Sequence, residues 1–285
     1  MVDASILIPT FRHVRLLPFA LASALDQQGV SVEVLVVGDG VEDGTREVLA
    51  RFADDPRIRF FDFPKGPRNG EAYRHEVLQE ARGRIVAYLC DDDLLLVDHV
   101  ATMSEVLADS DFAHPVTTRF TAEGELEYFP WNYERAEFRE VGRNRKGSMG
   151  LTGVAHTLEA YRRLPHGWRT TPDGMPTDHY MWLQWLEAPG VRMALSERNT
   201  YLNFPDPFWR ELPEDERARV LSLWFERSRE PGFAEQADTM LAHAVRRAAE
   251  DYHLWAWRER NAAEELRGTR TWRARERLLA VRRRR

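Results

Sequence analysis

Val86-Ala87-Tyr88-Leu89-Cys90-Asp91-Asp92-Asp93-Leu94-Leu95-Leu96 places three carboxylates side by side between two apolar runs. The run Ile85 to Leu89 reads as a strand covered on both faces, because parallel-sheet strands are nearly continuously apolar. In an open parallel sheet, ligands bind beyond the carboxyl ends of the strands, and Asp91 to Asp93 stand at that end. Like charges this close are unfavourable unless a cation offsets them. Oxygen-rich sites of this kind suit Mg²⁺ or Mn²⁺. The competing reading is a helix start, where acids are favoured by the dipole. One acid suffices for that purpose, and three in a row after a buried strand exceed it.

Outward from this stretch, the chain alternates strands and helices at short intervals. Ser5 to Ile8, Val32 to Val37 and Arg57 to Phe63 read as strands. Residues 15 to 25, 45 to 52 and 71 to 81 read as helices, with Pro18 tolerable only in a first turn. The pattern predicts an α/β fold, a Rossmann-like, mostly parallel sheet with helices on both faces. Thr10 and Asp39 then join the acidic triplet at one rim. After residue 110 the rhythm breaks. Residues 120 to 150 read as a long surface segment, and regular structure resumes over 154 to 164 and 178 to 186. Pro205-Asp206-Pro207 marks a boundary. Beyond it, residues 214 to 229 and 234 to 265 are helical by periodicity. Met240, Leu241, Ala244, Val245, Ala248, Tyr252 and Trp255 share one face of the longer helix. The expected organisation is a main domain over 1–205 with halves 1–110 and 111–205, a C-terminal helical extension over 206–268 and a basic tail over 269–285.

The 285 residues are 43% hydrophobic and 30% charged, the composition of an ordinary globular protein. No apolar run reaches the roughly 18 residues that span a bilayer, and no secretory leader is visible. The single cysteine, Cys90, cannot form an intrachain disulfide and suits a reducing compartment. A cytoplasmic location is the expectation. Net charge is −6, yet residues 266 to 285 hold nine arginines against Glu276 alone, so the rest of the chain is markedly acidic. A nucleic-acid binder would carry its basic stripe on the folded body, and no nucleic-acid partner is expected. The tail, with Trp272, Leu278, Leu279 and Val281 among its arginines, suits either peripheral contact with the inner face of an anionic membrane or plain solvation.

Four stretches, in order and at preserved spacing, resemble a known family. They are Ile6-Leu7-Ile8-Pro9-Thr10-Phe11, Val36-Val37-Gly38-Asp39-Gly40-Val41-Glu42-Asp43-Gly44-Thr45, Arg74 to Gly83, and Tyr88-Leu89-Cys90-Asp91-Asp92-Asp93. Together they are similar to the inverting GT-A glycosyltransferases of family 2 over about the first 190 residues. The resemblance implies a GT-A fold, a nucleotide-sugar donor, a divalent metal (Mn²⁺ or Mg²⁺) and direct displacement at the anomeric carbon. It implies that Pro9, Thr10 and Phe11 line the nucleotide base and that Asp39 accepts from uracil N3–H. It further implies that Arg74 lies near the base and diphosphate, that Asp91 contacts the ribose and that Asp92 ligates the metal, with Asp93 beside it. Arg74 reads equally as a solvated helix arginine. Cys90 stands where the family's first Asp usually lies, Gly38 and Val41 replace an Asp and a Ser, and His75 replaces an Asn.

Displacing a nucleoside diphosphate also requires a base for the acceptor hydroxyl. Pro176-Thr177-Asp178-His179-Tyr180-Met181-Trp182-Leu183-Gln184-Trp185 starts like a helix, with Thr177 as its expected N-cap. Asp178 shares a face with Met181, Trp182 and Trp185, so partial burial should raise its pKa. The segment resembles the acidic helix start that carries the family's base. A first-turn acid balancing the dipole is the alternative. His179 points about 100° away and reads as structural. Tyr128, Phe129, Trp131, Tyr133, Trp168 and Trp209 could stack on sugar rings or pack internally. The acceptor is expected to be a carbohydrate or a lipid-linked molecule.

Three other readings stay open on the residues alone. Gly38-Asp39-Gly40 with Gly44 and Asp62 imitates an NAD(P)-binding fingerprint, although it follows the second strand rather than the first. Asp91-Asp92-Asp93-Leu94-Leu95 imitates the motif of haloacid-dehalogenase-like phosphatases, but Leu95 stands where that motif has a hydroxyl. A non-catalytic scaffold binding through its helical C-terminus is the third.

Overall fold

The computed structural model describes residues 2–121, 124–144, 149–204, 209 and 211–268. The chain divides into two units, Met1–Leu241 and Ala242–Arg285.

The first unit is built on a seven-stranded sheet. Its parallel strands β1 (Ala4–Thr10), β2 (Val32–Asp39), β3 (Ile58–Phe63) and β4 (Ile85–Tyr88) are the four expected from the sequence. Helices α1 (Leu17–Leu25), α2 (Asp43–Ala50) and α3 (Glu71–Gln79) connect them, and Pro18 sits in the first turn of α1. Alternation along each strand divides the core in two. Ile6, Ile8, Val34, Val36, Ile85 and Ala87 pack on one face with α1, whereas Leu7, Leu35, Val37, Val86 and Tyr88 pack on the other with α3. Burial on both faces is what nearly continuous apolar strands require.

Past β4 the chain makes β5 (Leu94–Leu95), α4 (His99–Val106), β6 (Phe112–Pro115), the hairpin β7 (Thr117–Phe120) and β8 (Leu126–Phe129), then α5 (Ala136–Asn144). Next come β9 (Ala155–Thr157), α6 (Leu158–Arg162), α7 (Thr177–Glu187), β10 (Met193–Ser196) and β11 (Tyr201–Leu202). The sheet order is β10-β6-β9-β4-β1-β2-β3. Strand β9 runs antiparallel to both β4 and β6, so the sheet is mostly but not wholly parallel.

The stretch expected as an irregular segment over 120 to 150 holds the end of β7, all of β8 and α5. These elements are short, and α5 carries few apolar residues, so packing against the rest of the unit decides them rather than local periodicity. Helix α8 (Glu214–Arg227) closes the C-terminal part of this unit through buried Leu221 and a 5.7 Å edge contact between Phe225 and Phe19 of α1.

Helix α9 (Phe233–Gly268) runs on into the second unit. Its apolar stripe is buried at Leu241 and Ala244 and exposed at Val245, Tyr252 and Trp255. No described helix is long and apolar enough to cross a membrane. The basic tail over 269–285 lies outside the described residues.

Candidate active site

The register of the parallel strands levels their carboxyl ends. Thr10 pairs with Gly38, Leu7 with Tyr88 and Asp39 with Phe63. Beyond these ends lies an open cleft of about 1080 Å³. Pro9, Thr10, Phe11, Asp39, Arg74, Asp91, Asp92, Asp93 and Asp178 all line it. The residues singled out in the sequence are therefore brought to one place.

At one end, buried Asp39 accepts from the Gly66 N–H at 2.7 Å and from Lys65 Nζ at 2.6 Å. Lys65 also lies 5.1 Å from the Phe11 ring centre. Gly70 precedes α3 at φ +61, and a Cβ there would stand 2.5 Å from Asp39 Cγ. Only glycine permits both the backbone and the approach. Gly70→Ala is expected to lose about 1–2 kcal/mol in denaturant unfolding, from the left-handed backbone alone.

Arg74, on α3, is buried with its guanidinium 4.6 Å over Trp168. Its Nη1 is 3.7 Å from Asp178 Oδ1, an ion-pair distance, while neither Nε nor Nη1 has a hydrogen-bond partner among the described residues. Thr10 Oγ1 is likewise buried without a partner. Buried polar atoms without partners are uncommon. The solvated-arginine reading of Arg74 is thereby set aside.

Asp178 opens the face of α7 that buries Met181, Trp182 and Trp185. The N-cap position belongs to Pro176, not to Thr177. The Thr177 hydroxyl serves Glu71 instead, donating to its Oε1 at 3.3 Å. Glu71, fully buried at the start of α3, also accepts from the N–H groups of Thr171 (3.3 Å) and Asn69 (3.1 Å). Burial opposes its charge, but these donors and nearby Arg74 bring its carboxyl below the usual range. Glu71 thus ties α3 to the start of α7 and fixes Asp178 beside Arg74. The Asp178 side chain is 30% exposed, so an incoming hydroxyl can reach it. Burial and the charge of Glu71 push its pKa up, and Arg74 opposes the shift.

The acidic triplet has resident counter-charges. His13 Nδ1 is 2.8 Å from Asp91 Oδ1 and 3.9 Å from Asp92 Oδ2. Arg217, from α8, places Nη2 3.2 Å from Asp92 Oδ2. Burial works against a charge on His13, yet Asp91 and Asp92 outweigh it and push its pKa up to about 9. The Asp92 carboxyl is raised well above its usual range by burial and by Asp93 and Asp91. Ligand atoms of His13, Asp91 and Asp92 lie within 4.8 Å of one another, as do those of Cys90, Asp92 and Asp93. An oxygen-rich set with one imidazole fits a divalent ion such as Mn²⁺.

Asp93, expected with Asp92 as a metal ligand, also has protein partners. It is buried and already accepts from Thr152 Oγ1, Asn203 Nδ2 (2.9 Å) and the Phe204 N–H (2.8 Å). It ties the triplet to the residues that follow β11 and to the loop before β9.

Of the aromatic residues, Tyr133, Trp168 and Trp209 are buried, and Phe129 lines the cleft beneath Arg119. His179 is buried, as expected of a structural residue, and His75 is held 2.8 Å from the Tyr161 hydroxyl. Sequence reasoning passed over His13, Lys65, Glu71 and Arg217. His13 lies three residues past Thr10 and could have been found by extending the first motif, whereas Arg217 offers no such signal.

A mostly parallel sheet with its ligand-facing groups at the strand ends defines a Rossmann-like α/β protein of the GT-A type. The chain belongs to the family described as Glycosyl transferase family 2, whose model matches residues 5–166. That membership sets aside the dehydrogenase and phosphatase readings. The chain is 33% identical over 118 residues to the GalNAc(5)-diNAcBac-PP-undecaprenol beta-1,3-glucosyltransferase of Campylobacter jejuni (40% of this chain, 37% of the relative). It is 34% identical over 103 residues to the succinoglycan biosynthesis protein ExoO of Rhizobium meliloti (36% and 29%). The matched stretch thus spans about a third of these relatives. Among solved structures, S. aureus TarS 1-349 in complex with UDP superposes with a TM-score of 0.56 at 13% identity (86% of this chain, 71% of that one). The mannosyltransferase PcManGT from Pyrobaculum calidifontis, in complex with GDP-Man and Mn2+, does so at 0.52 and 16% (95% and 82%).

Proposed function

We propose that the chain transfers a sugar from a nucleotide-diphosphate sugar, foremost a UDP-sugar, to an acceptor hydroxyl with inversion and with the help of a divalent ion. One observation carries this reading: Asp92, Asp178 and the buried Arg74, at ion-pair distance from Asp178, share a single cleft. A raised carboxylate beside a buried guanidinium in the same cleft as the acidic triplet supports a catalytic site over a non-catalytic scaffold. Residues 1–110 supply the donor half and 111–205 the acceptor half.

Pro9, Thr10 and Phe11 flank the base, and Asp39, held by Lys65 and Gly66, accepts its imide N–H. Asp91 meets the ribose. Arg74 lies near the base and the diphosphate. Asp92 and Asp93 would hold the ion, with His13 and Asp91 as the neighbouring donors. Mn²⁺ or Mg²⁺ would neutralise charge developing on the leaving phosphates. Asp178 takes the proton of the acceptor hydroxyl, which attacks the anomeric carbon opposite the departing diphosphate, and configuration inverts. A carbohydrate or lipid-linked acceptor at the cytoplasmic face of the membrane belongs to the same proposal. The name of the C. jejuni relative specifies undecaprenol.

Calorimetry with UDP, GDP and CDP, each with and without Mn²⁺, tests the donor assignment. UDP binding is expected to depend on the ion. CDP is expected to bind at least about tenfold more weakly, because cytosine N3 is an acceptor and leaves the Asp39 carboxylate facing a lone pair. Ion-independent binding, or equal affinity for CDP, contradicts the assignment.

A further inference from the structure

Arg217 lies outside the stretch matched to the family, in the first turns of a helix that begins Glu214-Asp215-Glu216. It is the cation closest to Asp92, 125 residues away in sequence. Its position is not accidental to a loose segment. Leu221 is buried, the Arg15 N–H donates to Glu214 Oε1 at 2.9 Å, and Arg229 Nε donates to Asp26 at 2.7 Å. The helix start and the turn after its end are therefore tied to the residues that flank α1, and the guanidinium is held at the rim.

A guanidinium has five N–H donors in a planar fork. In Arg217 only Nη2 is engaged, by Asp92 at 3.2 Å and near His13 Nε2 at 3.4 Å. Among the described residues, Nε and Nη1 have no hydrogen-bond partner. The side chain is 12% exposed and lines the cleft. The contact with Asp92 is also the one that a divalent ion must compete for. An ion on Asp92 would leave Arg217 beside added positive charge, with an unmet need for an anion.

We propose that Arg217 is a donor-binding residue that exchanges partners, holding the Asp92 carboxylate when no ion is bound and turning its fork to the donor's diphosphate when the carboxylate is taken. Bidentate pairing with phosphate is what the planar fork does best. The exchange couples the two ligands. Ion without nucleotide must displace Arg217 with nothing to receive it, whereas ion with diphosphate gives it a new partner. Such coupling is reciprocal and commonly amounts to 5–150-fold in affinity. The inference rests on the donor reading above and adds the contribution of the C-terminal helix to it.

The test is Mn²⁺ binding, read by paramagnetic resonance of the free ion, and UDP and uridine binding, read by calorimetry. Wild type, Arg217→Gln and Arg217→Lys are compared. Arg217→Gln is expected to bind Mn²⁺ alone about tenfold more tightly and UDP in the presence of Mn²⁺ about tenfold more weakly, with uridine unchanged. Arg217→Lys keeps the charge and loses the fork. It should bind Mn²⁺ alone like wild type and UDP more weakly. If a folded Arg217→Gln leaves both Mn²⁺ and UDP affinity at wild-type values, Arg217 is a structural counter-ion only and the proposal is overturned. If Arg217→Gln does not fold, unchanged UDP affinity in Arg217→Lys overturns it instead. Wild-type protein that binds uridine and UDP equally removes the diphosphate contact, and with it this inference. Wild-type protein that binds neither removes the donor reading itself.

Discussion

Asp178→Asn is expected to lower sugar transfer about a thousandfold while UDP affinity in Mn²⁺ stays within about threefold of wild type. Asparagine keeps the shape of the side chain and cannot take a proton. In the proposed donor site Asp39, Arg74 and Asp92 make the contacts, and none of them is substituted. The pH profile gives a second signature. Burial and Glu71 raise the Asp178 carboxyl, and Arg74 only partly offsets them. A base works when ionised, so the rate must be lost as pH falls through this raised pKa. The acid limb therefore lies above the ordinary carboxylate range, near pH 4. In Asp178→Asn the limb should vanish from the residual rate. Single-turnover release of UDP across pH measures both. A variant that transfers at full rate, or keeps the acid limb, places the base elsewhere.

What made Asp178, Asp39 and Asp91 to Asp93 legible in the sequence is locality. Each stands at the end of a strand or the start of a helix whose apolar pattern is complete within ten residues, so the element and its rim residue are read together. The four parallel strands were legible for the same reason. The hairpin Thr117–Phe120 with Leu126–Phe129 was not, because four-residue strands carry too little periodicity to stand out. Asp93 shows the limit within the site itself. Its residue type and spacing suit a metal ligand, whereas its hydrogen bonds to Thr152, Asn203 and Phe204, 59 to 111 residues away, carry no local signal. Glu71 and Arg217 were missed on the same grounds, since their partners Thr171 and Asp92 lie 100 and 125 residues off in sequence.

Asp92→Asn is expected to abolish the Mn²⁺-dependent part of UDP binding, a loss of more than about 100-fold. Changes behind a metal ligand alone weaken binding by about 10–100-fold, and this one removes the ligand. The folded chain should not suffer in the absence of the ion. Asp92 lies among Asp91 and Asp93, and burial together with their charges raises its carboxyl well above the usual range. A group whose pKa is higher folded than unfolded destabilises the fold when ionised, so neutral asparagine relieves repulsion at pH 7. Arg217 and His13 lose one partner in exchange, and Asp91 remains beside His13. The balance predicts a melting temperature, without ion, at or slightly above wild type. Added Mn²⁺ should raise the melting temperature of wild type and not of the variant, and a chelator should reverse the gain. A group that stabilises the fold loses stability when removed, whereas one maintained for function loses only binding. Melting curves with and without Mn²⁺, set beside UDP titrations, distinguish the two. A variant that is less stable without ion yet binds UDP like wild type would make the acidic triplet a structural element.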